Sequence, residues 1–321
     1  MTTGTQDLTE RGQRRRLVEG VFLGLCAALT WAIYNIGVDI GRADGFSSAD
    51  LAILRYAGAG TILLPLLLRR TGRLAAEMTV WRMLLLSVAI GPPFAFLINT
   101  GYGIAPLAHA VVISPGVTMI VANLLPVLFD GARLPRHRQV GIAVLIGGLI
   151  AIAMDQPPSK DPDVATLVGD LCFVGSGTLW GLFTYLVGRW RIPAIEAIGT
   201  ISVLTTLVCL PVYLLAFTPA SASMAQWGEQ LFYQGVLGGC IAIIVYAASI
   251  ARLGPGLAGL FPAIVPPLAV LIAIPYAGIW PNGIQLLGVG IAALGLILSL
   301  DGFAALVRRL RYGRDRWKAL S

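Results

Sequence analysis

The sequence predicts an all-α polytopic membrane protein with ten transmembrane helices arranged as two inverted five-helix repeats. The first observation is composition: 57% of the 321 residues are hydrophobic and 12% are charged, whereas soluble domains carry roughly a quarter charged residues. The second is that apolar runs of about 20 residues, long enough to cross a bilayer, recur along the whole chain. The third is that the second half of the chain repeats landmark residues of the first.

Ten apolar runs qualify as membrane spans. They lie at 18–38, 51–68, 83–104, 108–129, 139–154, 167–187, 197–217, 230–251, 256–277 and 284–304. The predicted organisation is a tail at 1–17, a first repeat at 18–154, a linker at 155–166, a second repeat at 167–304 and a basic tail at 305–321. The linker reads DQPPSKDPDVAT, and this polar, proline-rich composition is typical of a connection between two units.

Lysine and arginine are unevenly distributed over the segments between the spans. Of the 23, 20 fall in the two tails and the even-numbered loops, Arg42 and Lys160 fall in the odd-numbered loops, and Arg55 lies inside a span. Because cationic residues collect on the cytoplasmic side, both termini are predicted to be cytoplasmic in a multi-pass protein of the cell inner membrane. The net charge of +7 thus reflects topology, and no nucleic-acid partner is predicted.

Landmark residues recur in the same order in the two halves. The aligned pairs are Gly20 and Gly169, Trp31 and Trp180, and Tyr34 and Phe183 at an offset of 149, then Pro115 and Pro262, Gly141 and Gly288, and Gly148 and Gly295 at an offset of 147. Because each copy has five spans, an odd number, the second copy enters the membrane from the opposite side. Inverted repeats are the architecture of alternating-access transporters.

A family resemblance rests on three stretches of the first half: GLCAALTWAIYNIGVDIGRADGFSSADLAILRYAGAGTILLPLLLRR, GYGIAPLAHAVVISPGVTMIVANLLPVLF and RQVGIAVLIGGLIAI. They resemble EamA-type carriers of the drug/metabolite transporter superfamily, and the second half resembles a divergent second copy. The resemblance implies ten helices, cytoplasmic termini, a central cavity and movement of small metabolites, often outward. Such repeats usually carry a Gly-Glu pair after the fourth helix, whereas this chain has Gly131-Ala132 and Gly278-Ile279, so no role is assigned to that acid.

Polar residues from four predicted helices lie at one level in the outer part of the membrane. Arg55 comes four residues after the start of its span, about 6 Å into the membrane at 1.5 Å per helical residue. The others at this level are Tyr34, Asn35, Asn99, Tyr102 and His109. Arg55 and His109 are predicted to form an outer gate or vestibule, and the rest to line the substrate cavity. Snorkelling of Arg55 to the interface, or bonding to helix 1, is an open alternative.

Two tryptophans related by the repeat, Trp31 and Trp180, lie near mid-depth, where they are predicted to form a cavity wall. Further predicted cavity residues are Ser114, Thr184 and Tyr246. Pro115 and Pro262 occupy matching positions in helices 4 and 9 and are predicted to kink them. Helix packing by the tryptophans, and bonding of the hydroxyl groups to their own helices, are the alternatives.

The function follows partly from what the spans lack. No carboxylate lies near the middle of a span, and the chain has no P-loop, HExxH or GxSxG motif. We therefore expect no ATP use, no enzyme activity, no metal and no cofactor.

The predicted function is a secondary transporter that exports small polar metabolites by alternating access, with amino acids or related zwitterions favoured. Alternatives are an exporter of lipophilic or cationic drugs and a non-transporting membrane sensor or scaffold. The predicted partners are a small-molecule substrate and the lipid bilayer, and a monomer would suffice.

Overall fold

The computed structural model of the chain describes residues 3–69, 79–105, 107–154, 164–278 and 280–300. The helical segments are α1 (Thr3–Ala43), α2 (Ser48–Leu68), α3 (Val80–Ile104), α4 (Leu107–Asp130), α5 (Arg136–Ala153), α6 (Val164–Trp190), α7 (Ala194–Ala216), α8 (Met224–Leu253), α9 (Pro255–Tyr276) and α10 (Gly283–Ser299). In the described part of the chain, nine helices are long and apolar enough to cross a bilayer, and α10 is a shorter apolar helix. The predicted all-α polytopic fold is confirmed.

The first helix begins before the first predicted span. The predicted tail at 1–17 is helical from Thr3 onward and continues into the span without a break. The tail carries Gln, Glu, Leu and Arg residues, which favour helix. Residues 155–163 of the predicted linker and the whole predicted tail at 305–321 lie outside the described residues, as do 301–304 at the end of the second repeat.

Three helices depart from regular α geometry. α3 is interrupted at Gly91, directly before two prolines. α8 is π-helical over Leu231–Ile241, and α9 contains the 3-10 turn Phe261–Ile264. The predicted kink at Pro262 coincides with this turn, whereas α4 runs unbroken past Pro115.

The contacts between helices follow the symmetry of the two halves. α4 packs along α6, and the equivalent helices α9 and α1 also pack on each other. α1 packs along α8, and α6 correspondingly packs along α3. α5 packs on its own equivalent, α10, as α2 does on α7. Exchanging the halves therefore maps these pairs onto one another, as a repeat of five helices requires.

The same contacts establish which helix ends lie together. α4 and α6 are parallel, since His109 near the start of α4 contacts Asp170 near the start of α6, and an ion pair joins Asp130 and Arg189 in their last turns. α2 and α7 are antiparallel, because Asp50 at the start of α2 accepts a hydrogen bond from Tyr213 near the end of α7. We call the end of the bundle where α2, α4 and α6 begin the Arg55 end, and the opposite end the Arg189 end.

Candidate functional site

Four aromatic side chains from four helices meet in the middle of the bundle, and we call them the central aromatic cluster. Its members are Trp31 on α1, Phe94 on α3, Trp180 on α6 and Tyr246 on α8. The ring of Trp31 lies 5.3 Å from that of Trp180 and 5.2 Å from that of Tyr246, with both contacts edge-on. Phe94 lies 5.2 Å from Trp180. The tryptophans paired by the repeat thus contact each other across the boundary between the halves, in the edge-to-face geometry that aromatic rings prefer.

The hydroxyl groups of Thr184 and Tyr246 hydrogen-bond to each other at one edge of the central aromatic cluster. The Thr184 hydroxyl donates to the backbone carbonyl of Trp180 at 2.9 Å, so it accepts from the Tyr246 hydroxyl, 2.8 Å away. Trp180 Nε1 is buried near the Tyr246 hydroxyl, but it makes no hydrogen bond of good geometry within the described part of the chain. A buried indole N–H normally has a well-placed partner, so this donor is incompletely satisfied.

We expect Tyr246→Phe to lower the stability of the protein by about 1 kcal/mol, the usual contribution of one hydrogen bond. The ring would keep its contacts with both tryptophans, because the substitution removes only the hydroxyl group. The thermal denaturation midpoint in detergent measures the effect. Tyr276→Phe is the control, since Tyr276 is 57% exposed. Equal shifts in the two variants would contradict a specific contribution from the Thr184 contact.

Two arginines lie over tyrosine rings at the Arg55 end, and we call these four residues the arginine–tyrosine vestibule. The guanidinium carbon of Arg55 is 5.5 Å from the ring centroid of Tyr34, and that of Arg42 is 5.6 Å from the ring centroid of Tyr102. Tyr102 also interacts electrostatically with Tyr34, Arg55 and Asp39. These cation–π contacts position the guanidinium groups without using up the N–H donors that suit a carboxylate.

Arg55 does not simply extend into open solvent. The residue is partly buried, and its Nε atom is fully buried with no hydrogen-bond partner among the described residues. A buried donor of this kind costs free energy until it finds an acceptor. The geometry therefore favours a binding or packing role for Arg55 over the snorkelling alternative.

Two asparagines predicted to line the cavity lie apart from these clusters. Asn99 donates from Nδ2 to the carbonyl of Ala95 on its own helix at 2.8 Å, which is the local backbone bonding that polar residues within spans often make. Asn35 is exposed on α1. In this conformation, therefore, the predicted outer level is only partly assembled.

Two further predicted residues lie in the contact between α4 and α6. His109 Nδ1 is 2.8 Å from Asp170 Oδ1, and Ser114 Oγ is 3.2 Å from Ser176 Oγ. Each contact joins one half of the chain to the other. His109 is therefore part of a connection between the halves at the Arg55 end, while Ser114 takes part in helix packing.

Ion pairs also join the halves at the Arg189 end. Arg189 Nε lies 2.6 Å from Asp130 Oδ1, and Arg252 Nε lies 3.3 Å from Glu19 Oε2. An open cleft of about 570 Å³ adjoins the first pair. It is lined by Pro126, Phe129, Asp130, Ala132, Gly188, Arg189, Arg191 and Pro255. Polar contacts thus connect the halves at both ends of the bundle.

The sequence interpretation missed four residues: two that belong to the clusters described above and two buried glutamines. Arg42 was counted with the loops, and Phe94 follows two prolines that suggested only a bend. Gln230 and Gln234 are both completely buried on α8. Two glutamines four residues apart in an otherwise apolar run were the available signal, because polar side chains in spans usually face the interior.

Known proteins resemble this chain over most of its length. The sequence profile of the EamA-like transporter family matches residues 18–154 and again 167–300. The uncharacterized inner membrane transporter YedA of Escherichia coli strain K12 is 25% identical over 281 residues, 85% of this chain and 86% of YedA, and YedA of strain O157:H7 matches equally. One solved crystal structure has a TM-score of 0.76 at 16% identity, covering 91% of this chain and 98% of its own, which supports the fold. The chain belongs to the EamA-like transporter family.

Proposed function

We propose that the protein is a secondary transporter that exports small polar metabolites across the inner membrane by alternating access, with amino acids and related zwitterions as substrates. Membership of a transporter family supports the general activity. The observation that carries the substrate class is the arginine–tyrosine vestibule, because it gathers two guanidinium groups and the buried Arg55 Nε has no hydrogen-bond partner among the described residues. A planar guanidinium binds a carboxylate through two parallel hydrogen bonds.

The central aromatic cluster supplies the other half of this proposal. It lies between the halves, where a site exposed alternately to the two faces must be. Its rings would contact an apolar or aromatic side chain of the substrate, and Trp180 Nε1 offers one donor. Since the rings contact one another here, substrate would have to separate them.

Alternating access requires the connections between the halves to open at one end at a time. At the Arg55 end these are the His109–Asp170 and Asp50–Tyr213 contacts, and at the Arg189 end the Asp130–Arg189 pair. We propose that the Arg55 end faces away from the cytoplasm and that both termini are cytoplasmic, as the distribution of basic residues indicates. One chain contains both halves, so a monomer is sufficient.

An exporter of lipophilic or cationic drugs is the second candidate. Trp31, Trp180 and Tyr246 present ring faces and edges at the centre of the bundle, and such rings attract organic cations as well as apolar groups. The two vestibule arginines weigh against it, because an exported cation would have to leave past two positive charges at that end.

Reconstitution into liposomes tests the proposal. Liposomes containing the purified protein are loaded with unlabelled solute. Counterflow of labelled amino acids, organic cations and sugar phosphates is then measured, with protein-free liposomes as the control. We expect amino acids to exchange well above the control rate and organic cations to remain at it. The reverse pattern would establish the drug exporter. If no solute moves under any gradient, the chain is a non-transporting sensor or scaffold and the proposal is wrong.

A further inference from the structure

Two glutamines on α8 form an incompletely bonded pair inside the protein. Gln230 and Gln234 are both 0% exposed, and Gln234 Nε2 donates to Gln230 Oε1 at 3.2 Å. Gln230 Nε2 and Gln234 Oε1 are buried without a hydrogen-bond partner among the described residues. In this orientation of the two amides, the pair keeps the donor group of Gln230 and the acceptor oxygen of Gln234 unused.

The glutamines lie where α8 becomes π-helical and wedges between α1 and α2. π-helical turns are rare and concentrate at functional sites. Glycines allow the close approach: a Cβ atom on Gly58 of α2 would lie 2.7 Å from Gly235 Cα, and one on Gly41 of α1 would lie 2.7 Å from the Gln230 amide carbon. The glutamines are thus enclosed by α1 and α2, and these two helices also carry three of the four residues of the arginine–tyrosine vestibule.

The helix register places Gln234 at the level of the Arg55 guanidinium. A Cβ atom on Gly238 would meet the Tyr34 ring at 2.4 Å, and one on Gly239 would meet the Arg55 carbonyl at 2.5 Å. Gln234 lies one turn closer to the Arg55 end than these two glycines. The Arg55 side chain leans in the same direction, because side chains tilt toward the N-terminus of their helix. Gln234 and the Arg55 side chain are therefore at similar heights along the bundle, with Gln230 beside Gly41 of α1.

These groups complement the two ends of a zwitterion. An ammonium group donates only, so it requires the acceptor oxygen of Gln234. A carboxylate accepts only, so it requires the N–H groups of Arg55 and Gln230. An analogue that lacks one of these groups leaves polar atoms of the site buried without a hydrogen-bond partner. Such a site therefore binds the analogue much more weakly than the complete substrate.

We propose that Gln230 and Gln234 are specificity-determining residues for a zwitterionic substrate: the Gln234 amide oxygen binds its ammonium group, and Arg55 and the Gln230 amide nitrogen bind its carboxylate. This assignment rests on the proposed function. Opening of the Arg55 end exposes the amides, and closing of α1 and α2 around α8 encloses them with the substrate.

The test compares an α-amino acid with the carboxylic acid that differs from it only by lacking the amino group. Each is measured as an inhibitor of counterflow in liposomes containing the wild type, Gln234→Met or Gln139→Met. The last is the control, since Gln139 is exposed at the start of α5. We expect Gln234→Met to weaken inhibition by the amino acid about 10- to 100-fold, the effect of losing a hydrogen bond to a charged group. Inhibition by the des-amino acid and the behaviour of Gln139→Met should be unchanged.

Equal loss for both compounds, or no loss for either, would overturn the assignment while leaving the transporter proposal intact. A wild type that neither moves amino acids nor is inhibited by them overturns both. The thermal denaturation midpoint of each variant in detergent guards against a variant that fails to fold. Gln234→Leu, which also lacks the acceptor oxygen, should repeat the selective loss for the amino acid, and unchanged inhibition by the amino acid in well-folded Gln234→Leu would contradict the role of that oxygen.

Discussion

Gly295→Val should prevent the protein from folding into a stable bundle. A Cβ atom at this position of α10 would lie 2.4 Å from the backbone nitrogen of Leu145 and 2.8 Å from the carbonyl oxygen of Gly141, both on α5. Backbone atoms of a packed helix cannot rotate away as a flexible side chain can. The two helices would have to separate, and we expect a loss of roughly 3–5 kcal/mol in unfolding free energy, at the upper end of single-residue effects.

The arrangement around this contact explains why the expected effect is so large. On the contact between α5 and α10, Gly141 faces Gly295 and Gly148 faces Gly288. Exchanging the two halves of the chain converts one pair into the other. A Cβ atom on Gly148 would meet Ala292 N at 2.5 Å. Small residues that allow close backbone approach are a principal means of helix association in membranes, and in this seam they act at four points. A valine at one of them disturbs its neighbours as well.

Two glycines on the same helices provide matched controls. A Cβ atom on Gly147 or Gly290 would meet no neighbouring atom within 4 Å in the described part of the chain, so Gly147→Val and Gly290→Val should remain near wild-type stability. Monodispersity on size-exclusion chromatography and the thermal denaturation midpoint in detergent measure all three variants. A Gly295→Val protein that stays monodisperse with an unchanged midpoint would show that the close α5–α10 contact does not stabilise the fold.

The sequence predicted the helical spans and aligned equivalent residues of the two halves, and the reasons are physical. Long apolar runs have few structural solutions in a bilayer, because their backbone polar groups must bond within the helix. Equivalent positions in an inverted repeat come together when they lie near the symmetry axis, as Trp31 and Trp180 do. The glycines of α5 and α10 cross over instead: Gly141 packs on Gly295 and Gly148 on Gly288, so the offset aligned these glycines but did not give their contact partners.

Other features depend on contacts that leave little trace in the sequence. The π-helical stretch of α8 cannot be read from periodicity, since its residues are apolar or glycine on nearly every face. Arg42 ended an apolar run and so resembled a loop residue, yet α1 continues to Ala43. Its placement over Tyr102 depends on how α1 packs beside α3, which no local pattern specifies.

Arg55→Lys should reduce transport of amino acids almost as severely as Arg55→Ala, by roughly 10- to 100-fold. Lysine keeps the positive charge, but it lacks the planar fork that holds both oxygens of a carboxylate, and it has no counterpart of the buried Nε. A residue that merely snorkels to the interface tolerates this change, because lysine reaches the interface equally well. The lysine variant therefore separates the two roles that the alanine variant alone would confuse.

Counterflow in liposomes measures these variants alongside Arg15→Lys, a conservative change at the opposite end of the bundle. Arg15 is 82% exposed and pairs with Glu19 on its own helix, and an exposed pair of this kind contributes little to stability, so this control should transport normally. Near-normal transport by Arg55→Lys together with loss in Arg55→Ala would assign Arg55 a charge or snorkelling role. Loss in both variants, with wild-type thermal stability, requires the guanidinium group itself.

Because Arg55 has no cationic equivalent in the second half, where Ile201 stands, its effect should also depend on the face from which substrate is offered: strong at the Arg55 end and weaker at the Arg189 end.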